Sequence, residues 1–409
     1  MKCRFCNHQL THEFIDLVNS PPSNSFLTIE QLNQPEVFYP LKLFICDNCF
    51  LVQIDEYKKS DDIFNKEYAY FSSYSISWLE HARTYVEMII KRNGLNKNSY
   101  VIEIASNDGY LLQHFKGIPC MGIEPSANTA KAARKKGVET LEKFFNTDLA
   151  NWLVQKNMQA DLIVGNNVLA HVPDINDFVN GLKIALKRSG TITMEFPHLM
   201  RLIEGDQFDT IYHEHFSYFS FYTVGRIFKE HGLRIYDVEE LPTHGGSLRI
   251  YACHRDNTLK TTQPNVEILT EKEFEKGLTS MAYYNNFQNR VNEIKYNFIK
   301  FLLEQKEKNK VVIAYGAAAK GNTLLNYCGI KNDLIAFVAD VTPYKQGKFL
   351  PGSHIPVVGE ERIKKDRPDL ILILPWNVKD EIMERLSYIH SWGGRFVFAT
   401  PNYVYREII

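Results

Sequence analysis

Short apolar runs that alternate with amphipathic stretches are the main pattern along this 409-residue chain. Runs at residues 100–105, 121–124, 160–164 and 190–195 have the length of buried strands. Apolar spacing from Trp78 to Ile90 predicts a helix that ends near Gly94, and the segment 110–115 is predicted to open another. Because strands that alternate with helices form parallel sheets, this region is predicted to be a doubly wound α/β domain.

The same pattern returns near the end of the chain. Residues 311–315, 335–340 and 370–374 are again short and apolar, and a lysine-rich amphipathic stretch at about 271–309 precedes them. We therefore predict an α/β protein with three parts. These are a small N-terminal domain at residues 1–66, a central Rossmann-like domain at 67–305 and a second Rossmann-like domain at 306–409.

Four of the seven cysteines form two C-x2-C pairs, Cys3 with Cys6 and Cys46 with Cys49. Each spacing lets two sulfurs face one ion, and two such pairs supply the four thiolates that a structural zinc ion prefers. The pattern predicts a zinc site that stabilises the N-terminal domain and takes no part in chemistry. A redox dithiol or a set of unrelated cysteines is the alternative.

Composition narrows the classes of protein that the chain can belong to. A formal net charge of −1 disfavours a protein that grips a phosphate backbone, since such proteins usually present a basic face. No uncharged apolar stretch has the length of a membrane span, and an odd number of cysteines fits a reducing compartment. We expect a soluble, cytoplasmic protein.

The first predicted strand carries Glu103, the turn after it carries Asn107 and Gly109, and the second strand ends at Glu124. In doubly wound domains an acid at that second position binds ribose hydroxyls. The loop lacks the G-x-G-x-x-G of pyrophosphate binders, and its carboxylate and amide groups suit a cationic ligand without phosphate. S-adenosylmethionine fits that description. A domain that binds another nucleoside, or no ligand, is the alternative.

The segment YHEH at residues 212–215 places three kinds of proton-transfer group within an aromatic run. His171 follows a neighbouring strand, so both loops are expected at one edge of the sheet. We predict that this segment removes or delivers a proton. Histidines buried only for packing are the alternative. A catalytic metal is disfavoured, because H-E-H lacks the H-E-x-x-H spacing that places two imidazoles on one helix face.

A glycine turn at residues 316–321 precedes a predicted helix in the last part of the chain. The turn differs from a phosphate loop because no lysine follows its second glycine, which disfavours an NTPase. Backbone N–H groups at a helix N-terminus can still bind an anion. The alternative is a purely structural remnant of a duplication.

Several motifs together carry a family resemblance. They are the two C-x2-C pairs, EYAYFSSYS from Glu67, VIEIASNDGYLL from Val101, GIEPSANTA from Gly122, NNVLAHV from Asn166, YHEHFSYFS from Tyr212, HGGSLRIY from His244 and the glycine turn at Gly316. In these motifs the chain resembles the zinc-containing, S-adenosylmethionine-dependent sugar C-3-methyltransferases, which build branched deoxysugars from nucleoside-diphosphate 4-keto-6-deoxyhexoses.

The resemblance implies roles for individual residues. It makes His215 the base that removes the C-3 proton, with Glu214 and Tyr212 orienting it or the sugar. His171 and Tyr212 become candidates to stabilise the charge on the C-4 oxygen. The implied cofactor contacts come from Tyr68, Tyr70, Ser72, Glu103, Asn107, Gly109, Glu124, Asn166 and Asn167. The implied contacts to the nucleotide diphosphate come from Gly316, Lys320, Gly321, Lys345 and Lys348.

The resemblance also implies a small-molecule substrate, no nucleic-acid or membrane partner, and a monomer or weak oligomer. The residues alone do not say whether the methyl acceptor is carbon, nitrogen or oxygen. Two other classes therefore stay open on the sequence. One is an RNA methyltransferase or zinc-ribbon nucleic-acid binder, which would show strong salt dependence of binding. The other is a non-catalytic nucleotide sensor, which leaves the YHEH segment without a task.

Overall fold

The computed structural model describes residues 1–64 and 71–399, and their strands form three sheets. The strands are β1 His12–Ser20, β2 Tyr39–Ile45, β3 Val52–Ile54, β4 Val101–Ile104, β5 Cys120–Ile123, β6 Thr140–Leu141, β7 Ala160–Asn166, β8 Leu186–Pro197, β9 Ser217–Tyr218, β10 Leu233–Leu241, β11 Ser247–His254, β12 Val312–Tyr315, β13 Val338–Ala339, β14 Val357–Val358, β15 Leu370–Ile373 and β16 Arg395–Val397.

Helices cover the sheets and connect their strands. They are α1 Ser60–Ile63, α2 Ile76–Asn93, α3 Ala127–Lys135, α4 Thr147–Gln155, α5 Ile175–Ala185, α6 Leu199–Glu204, α7 Phe221–Glu230, α8 Pro264–Lys276, α9 Phe287–Glu307, α10 Ala319–Cys328, α11 Glu361–Asp366 and α12 Lys379–Arg385. Within the described ranges, every helix is too short or too polar to cross a bilayer.

The central sheet has seven strands in the order β10-β11-β8-β7-β4-β5-β6. Neighbours from β8 to β6 run parallel, while β11 pairs antiparallel with both β8 and β10. The prediction of a doubly wound domain is confirmed. The carboxyl ends of β4, β5, β7 and β8 share one edge, where ligands bind in such folds.

Helix α2 agrees with the sequence prediction, because Gly94 ends it in the left-handed conformation at φ 62°. The helix predicted at 110–115 is instead a single 3-10 turn at Leu112–His114. Pro119 directly precedes β5, and a residue before proline avoids helical angles, so the short connection has room for only one tight turn. The stretch at 271–309 is two helices, since Gly277 caps α8 at φ 90°.

The last sheet, β14-β13-β12-β15-β16, is parallel throughout, as predicted for a second Rossmann-like domain. The first sheet, β1-β2-β3-β9, is antiparallel and borrows β9 from the segment that directly follows YHEH. One hydrophobic cluster joins Leu41 of β2, Phe216 beside β9 and Leu325 of α10. The residues 212–215, which directly precede Phe216, therefore lie between the first sheet and helix α10 of the last domain.

Candidate active site and zinc site

Two thiol pairs converge at the N-terminus. The Sγ atoms of Cys3, Cys6, Cys46 and Cys49 all lie within 4.8 Å of one another, with Cys3 to Cys49 at 3.5 Å and Cys6 to Cys46 at 3.6 Å. Sulfurs about 2.3 Å from a tetrahedral zinc ion are separated by about 3.8 Å, so the four donors fit that ion. Gln53 Nε2 donates to Cys3 Sγ at 3.2 Å, the outer contact expected beside a metal ligand.

The YHEH segment folds as a tight turn in which the His215 N–H donates to the Tyr212 carbonyl at 3.0 Å. This turn brings the rings of Tyr212 and His215 to a centroid distance of 4.1 Å. The His171 ring lies 4.7 Å from that of His215. His213 points the other way and packs against Tyr39 of β2. The structure thus brings together Tyr212, His215 and His171, and separates His213 from them.

The hydrogen bonds of the two imidazoles fix which nitrogen can accept a proton. Nδ1–H of His215 donates to the Thr210 carbonyl at 3.1 Å, and Nδ1–H of His171 donates to the Glu214 carbonyl at 2.8 Å. Burial lowers the pKa of His171 to about 4. Burial and the neighbouring His171 lower the pKa of His215 well below its usual value. Each ring is therefore neutral near pH 7 and keeps the Nε2 lone pair as a base.

Glu214 turns into the protein interior, where it is 4% exposed. Asn24, from the segment between β1 and β2, donates from Nδ2 to Glu214 Oε1 at 2.6 Å. Burial raises the pKa of Glu214 to about 7. Sequence reasoning missed Asn24, because 190 positions separate the two residues.

The loop after β4 is strained and polar. Asn107 and Gly109 have positive φ angles of 50° and 76°. The Asn107 N–H donates to Glu124 Oε2 at 2.9 Å, and the Asn107 side-chain oxygen accepts from the Ser72 N–H at 2.9 Å. Hydrogen bonds thus connect three predicted cofactor residues, Ser72, Asn107 and Glu124, and a fourth, Gly109, lies in the same loop. The predicted cofactor residues Tyr68 and Tyr70 lie outside the described residues.

Buried polar groups without partners lie around this loop. Within the described residues, both carboxylate oxygens of Glu103 lack a hydrogen bond of good geometry, as do Asn166 Nδ2 and Asn167 Oδ1. Burial, with Glu124 and Asp108 nearby, raises the pKa of Glu103 well above its usual value. Orphaned groups of this kind are costly unless a ligand satisfies them. A cationic ligand with amino and hydroxyl groups fits the set.

A second network at this edge was not predicted. Glu195, at the end of β8, accepts hydrogen bonds from Arg249 at 2.7 Å and from Thr243 Oγ1 at 2.9 Å, and lies 2.9 Å from His81 Nε2. Burial alone would raise the pKa of Glu195, but His81 and Arg249 lower it to about 2. The Glu195 carbonyl also accepts the Asn167 N–H at 2.7 Å, so the network supports the rim. The HGGSLRIY motif, which contains Arg249, was the available signal.

The predicted phosphate residues do not form one group. Lys345 Nζ donates to the carbonyl of Ala317 in the glycine turn at 2.8 Å. Lys320 instead points towards Asn377, at 2.6 Å, with its Nζ 4.4 Å from the centre of the Trp376 ring. Burial lowers the pKa of Lys320 to about 8. Lys348 lies over the Tyr344 ring.

The two glycines of the turn are required by close packing. A Cβ atom on Gly316 would lie 2.5 Å from Pro375, and one on Gly321 would lie 2.7 Å from Leu374. The Ala317 N–H in this turn already donates to Asp340 Oδ2 at 2.7 Å. The glycines therefore allow α10 to pack closely against the residues that directly follow β15.

Helix α10 and the loop after β15 also hold the segment before YHEH. Thr323 Oγ1 donates to the Ile211 carbonyl at 2.7 Å, and Trp376 Nε1 donates to Asp209 Oδ2 at 2.7 Å. Contacts from the last domain therefore position the histidine cluster. This arrangement could not be inferred from motif spacing.

Family comparisons agree with this architecture. Residues 3–64 match a family model described as "Putative zinc binding domain", residues 78–238 a methyltransferase domain and residues 242–401 a C-methyltransferase C-terminal domain. The C-methyltransferase NovU of Streptomyces niveus is 33% identical over 403 residues, which cover 98% of this chain and 96% of that protein. The chain belongs to this C-methyltransferase family. The resemblance drawn from the motifs is confirmed, and with it an S-adenosylmethionine-dependent methyltransferase that has a four-cysteine zinc site.

Two solved structures resemble part of this chain. A methyltransferase bound to the Trm112 activator of Haloferax volcanii has 15% identity and a TM-score of 0.35, covering 43% of this chain and 90% of that one. The magnesium protoporphyrin IX methyltransferase of Synechocystis PCC 6803 has 14% identity and a TM-score of 0.33, covering 43% and 79%.

Proposed function

We propose that this enzyme methylates C-3 of a nucleoside-diphosphate 4-keto-6-deoxy sugar. The observation that carries the proposal is the cluster of Tyr212, His215 and His171, in which two neutral imidazoles lie in contact. Carbon alkylation requires a base before the methyl acceptor exists, and a neutral buried imidazole suits that step.

In the proposed reaction, Nε2 of His215 removes the C-3 proton, which the neighbouring C-4 carbonyl acidifies. The electron pair left on C-3 spreads onto the C-4 oxygen. The Tyr212 hydroxyl can donate to that oxygen, whereas His171 can donate from Nε2 only after gaining a proton, because its Nδ1–H is held by Glu214. S-adenosylmethionine, when bound, would supply the electrophilic methyl group: its sulfur–methyl bond would break as C-3 forms its bond to that methyl, with S-adenosylhomocysteine as the leaving group.

We assign the cofactor to the edge formed by the loops after β4, β5 and β7. Glu103 and Glu124 would face its cationic and ribose groups, while Asn166 and Asn167 would satisfy its polar groups. Ser72 and Gly109 shape the loop, and Tyr68 and Tyr70 are proposed as further cofactor contacts. The support is the set of orphaned oxygens and nitrogens that this ligand could satisfy.

We assign the sugar nucleotide to the face between α10 and the histidine cluster. Because Asp340 already accepts the Ala317 N–H, we assign the diphosphate contacts to lysine side chains, whose positive charges attract phosphate. Lys345 and Lys348 would contact the phosphates, and Lys320 would lie nearer the reacting sugar. The N-terminal domain, residues 1–66, would then bind zinc. The central domain, residues 67–305, would transfer the methyl group, and the last domain, residues 306–409, would hold the nucleotide.

The proposal is tested with a panel of thymidine- and guanosine-diphosphate 4-keto-6-deoxy sugars. With labelled S-adenosylmethionine, mass spectrometry should show one added methyl group on a member of this panel. Nuclear magnetic resonance in deuterated water should show exchange of its C-3 hydrogen when S-adenosylhomocysteine replaces the methyl donor. Methylation of RNA in place of every sugar would contradict the proposal.

A further inference from the structure

The segment between β1 and β2 reaches the active site from the zinc-binding part of the chain. A turn closed by the Ser25 N–H and the Pro22 carbonyl, at 3.0 Å, presents Asn24 to Glu214. The Asn322 side chain of α10 donates to the Ser23 carbonyl and holds this turn against the last domain. The turn that carries Asn24 is thus held by Glu214 and by α10.

The contact joins Asn24 to the YHEH segment at its buried carboxyl group. Asn24 Nδ2 lies 2.6 Å from Glu214 Oε1, and Glu214 is 4% exposed. Glu214 also supplies the carbonyl that fixes the tautomer of His171. A shift of Glu214 would therefore alter the imidazole that contacts His215.

We propose that Asn24 is a positioning residue of the methyltransferase site, holding the Glu214 side chain so that the histidine cluster keeps its arrangement. This inference rests on the proposed function. Burial raises the pKa of Glu214. Two groups lower it, the Asn24 amide by hydrogen bonding and Lys58 by its positive charge. Both favour the ionised form, so loss of the amide should leave Glu214 protonated to higher pH.

The variants Asn24→Ala and Asn24→Asp test this, with Asn33→Ala as the matched control on the exposed part of the same segment. The first removes the donor and the second adds a like charge. We expect the pH profile of kcat to move upward by about one to two pH units in Asn24→Ala, since a hydrogen bond to a charged group contributes about 1.5–3 kcal/mol. Asn24→Asp should move it further. Asn33→Ala should leave it unchanged, and zinc content should be unchanged in all three.

A readout independent of activity is the infrared absorption of the protonated carboxyl group, assigned by its loss in Glu214→Gln. Its titration should shift upward in Asn24→Ala and not in Asn33→Ala. An unchanged Glu214 titration in both Asn24 variants would overturn the inference. If the wild-type enzyme methylates none of the keto sugars, the proposed function fails, while the infrared titration still decides whether Asn24 acts on Glu214.

Discussion

His213 and His215 lie two positions apart but have different neighbours. His213 Nε2 donates to the Pro40 carbonyl at 3.2 Å and packs in the first sheet, while His215 contacts Tyr212 and His171. Both are buried, and burial lowers the pKa of His213 to about 4. Residue type and burial alone therefore do not separate a base from a packing group. The contacts do.

Replacing His215 with Asn should reduce methyl transfer by about 10²- to 10⁴-fold, the usual contribution of a positioned general base. The affinity for S-adenosylmethionine, measured by calorimetry, should stay within about twofold because the loops after β4 and β5 are untouched. C-3 hydrogen exchange in deuterated water should stop. His213→Asn is the matched control and should retain exchange. Retained exchange in His215→Asn would assign the base to another group.

At the scale of elements, sequence patterns predicted the helices and strands whose formation depends on nearby residues. Helix α2 with its Gly94 cap and the strands β4, β5, β7 and β8 follow from apolar spacing and capping, and the fold class is confirmed. The segment 110–115 did not form the predicted helix, because Pro119 and the nearby start of β5 limited it. The contacts Asn24 to Glu214 and Trp376 to Asp209 span 190 and 167 positions, so no local pattern could reveal them.

One such long-range contact holds α7, the helix that follows β9. Glu273 of α8 accepts the N–H groups of Phe221 and Tyr222 at 2.6 and 2.8 Å, and His198 Nε2 at 2.6 Å. The carboxylate thus satisfies donors at the start of α7, where a negative charge is favourable. Both His198 and Glu273 are at most 1% exposed, so their separation leaves buried polar groups unpaired.

Glu273→Ala should therefore destabilise the fold by about 3–5 kcal/mol, the cost of breaking a buried pair. A lower denaturation midpoint in urea, followed by circular dichroism, is the measurement. Glu275→Ala removes an exposed carboxylate from the same helix and should change the midpoint little. Equal effects of the two substitutions would show that Glu273 does not hold α7.

At the scale of the whole molecule, the first sheet connects the zinc site to the YHEH segment. Strand β3 begins three residues after Cys49, and its Val52 pairs with Tyr218 of β9. A zinc ion held by the four thiolates would therefore stabilise a strand whose partner, β9, begins two residues after His215. With four thiolate ligands the ion is expected to have a structural role, yet its loss should reach the proposed active site through β9.

Cys46→Ser should lower zinc content, solubility and methyl transfer together, because a structural zinc site supplies folding free energy directly. Elemental analysis and thermal unfolding measure the first effects. Cys120→Ser changes a cysteine outside the cluster and should retain zinc. A soluble and fully active Cys46→Ser variant without metal would exclude the structural role.

Acid should destabilise the whole protein through its buried histidines. Burial lowers the pKa of His171, His213 and His244 from 6.5 to about 4, so the unfolded chain gains these protons first as pH falls. The stability that these groups contribute is complete above pH 6.5 and is lost as pH falls towards 4, by about 1.4 kcal/mol per pH unit for each group.

Glu214 opposes this, because its raised pKa contributes stability that is lost as pH rises through about 7. Burial also raises the pKa of Glu103 and Glu124 and lowers that of His114, His215 and His231. Six histidines thus act against three carboxyl groups, so the urea midpoint should fall between pH 6.5 and 4.5. His213→Asn removes one titrating group from a packing position and should flatten this slope, whereas an identical slope in that variant would contradict a buried, neutral His213.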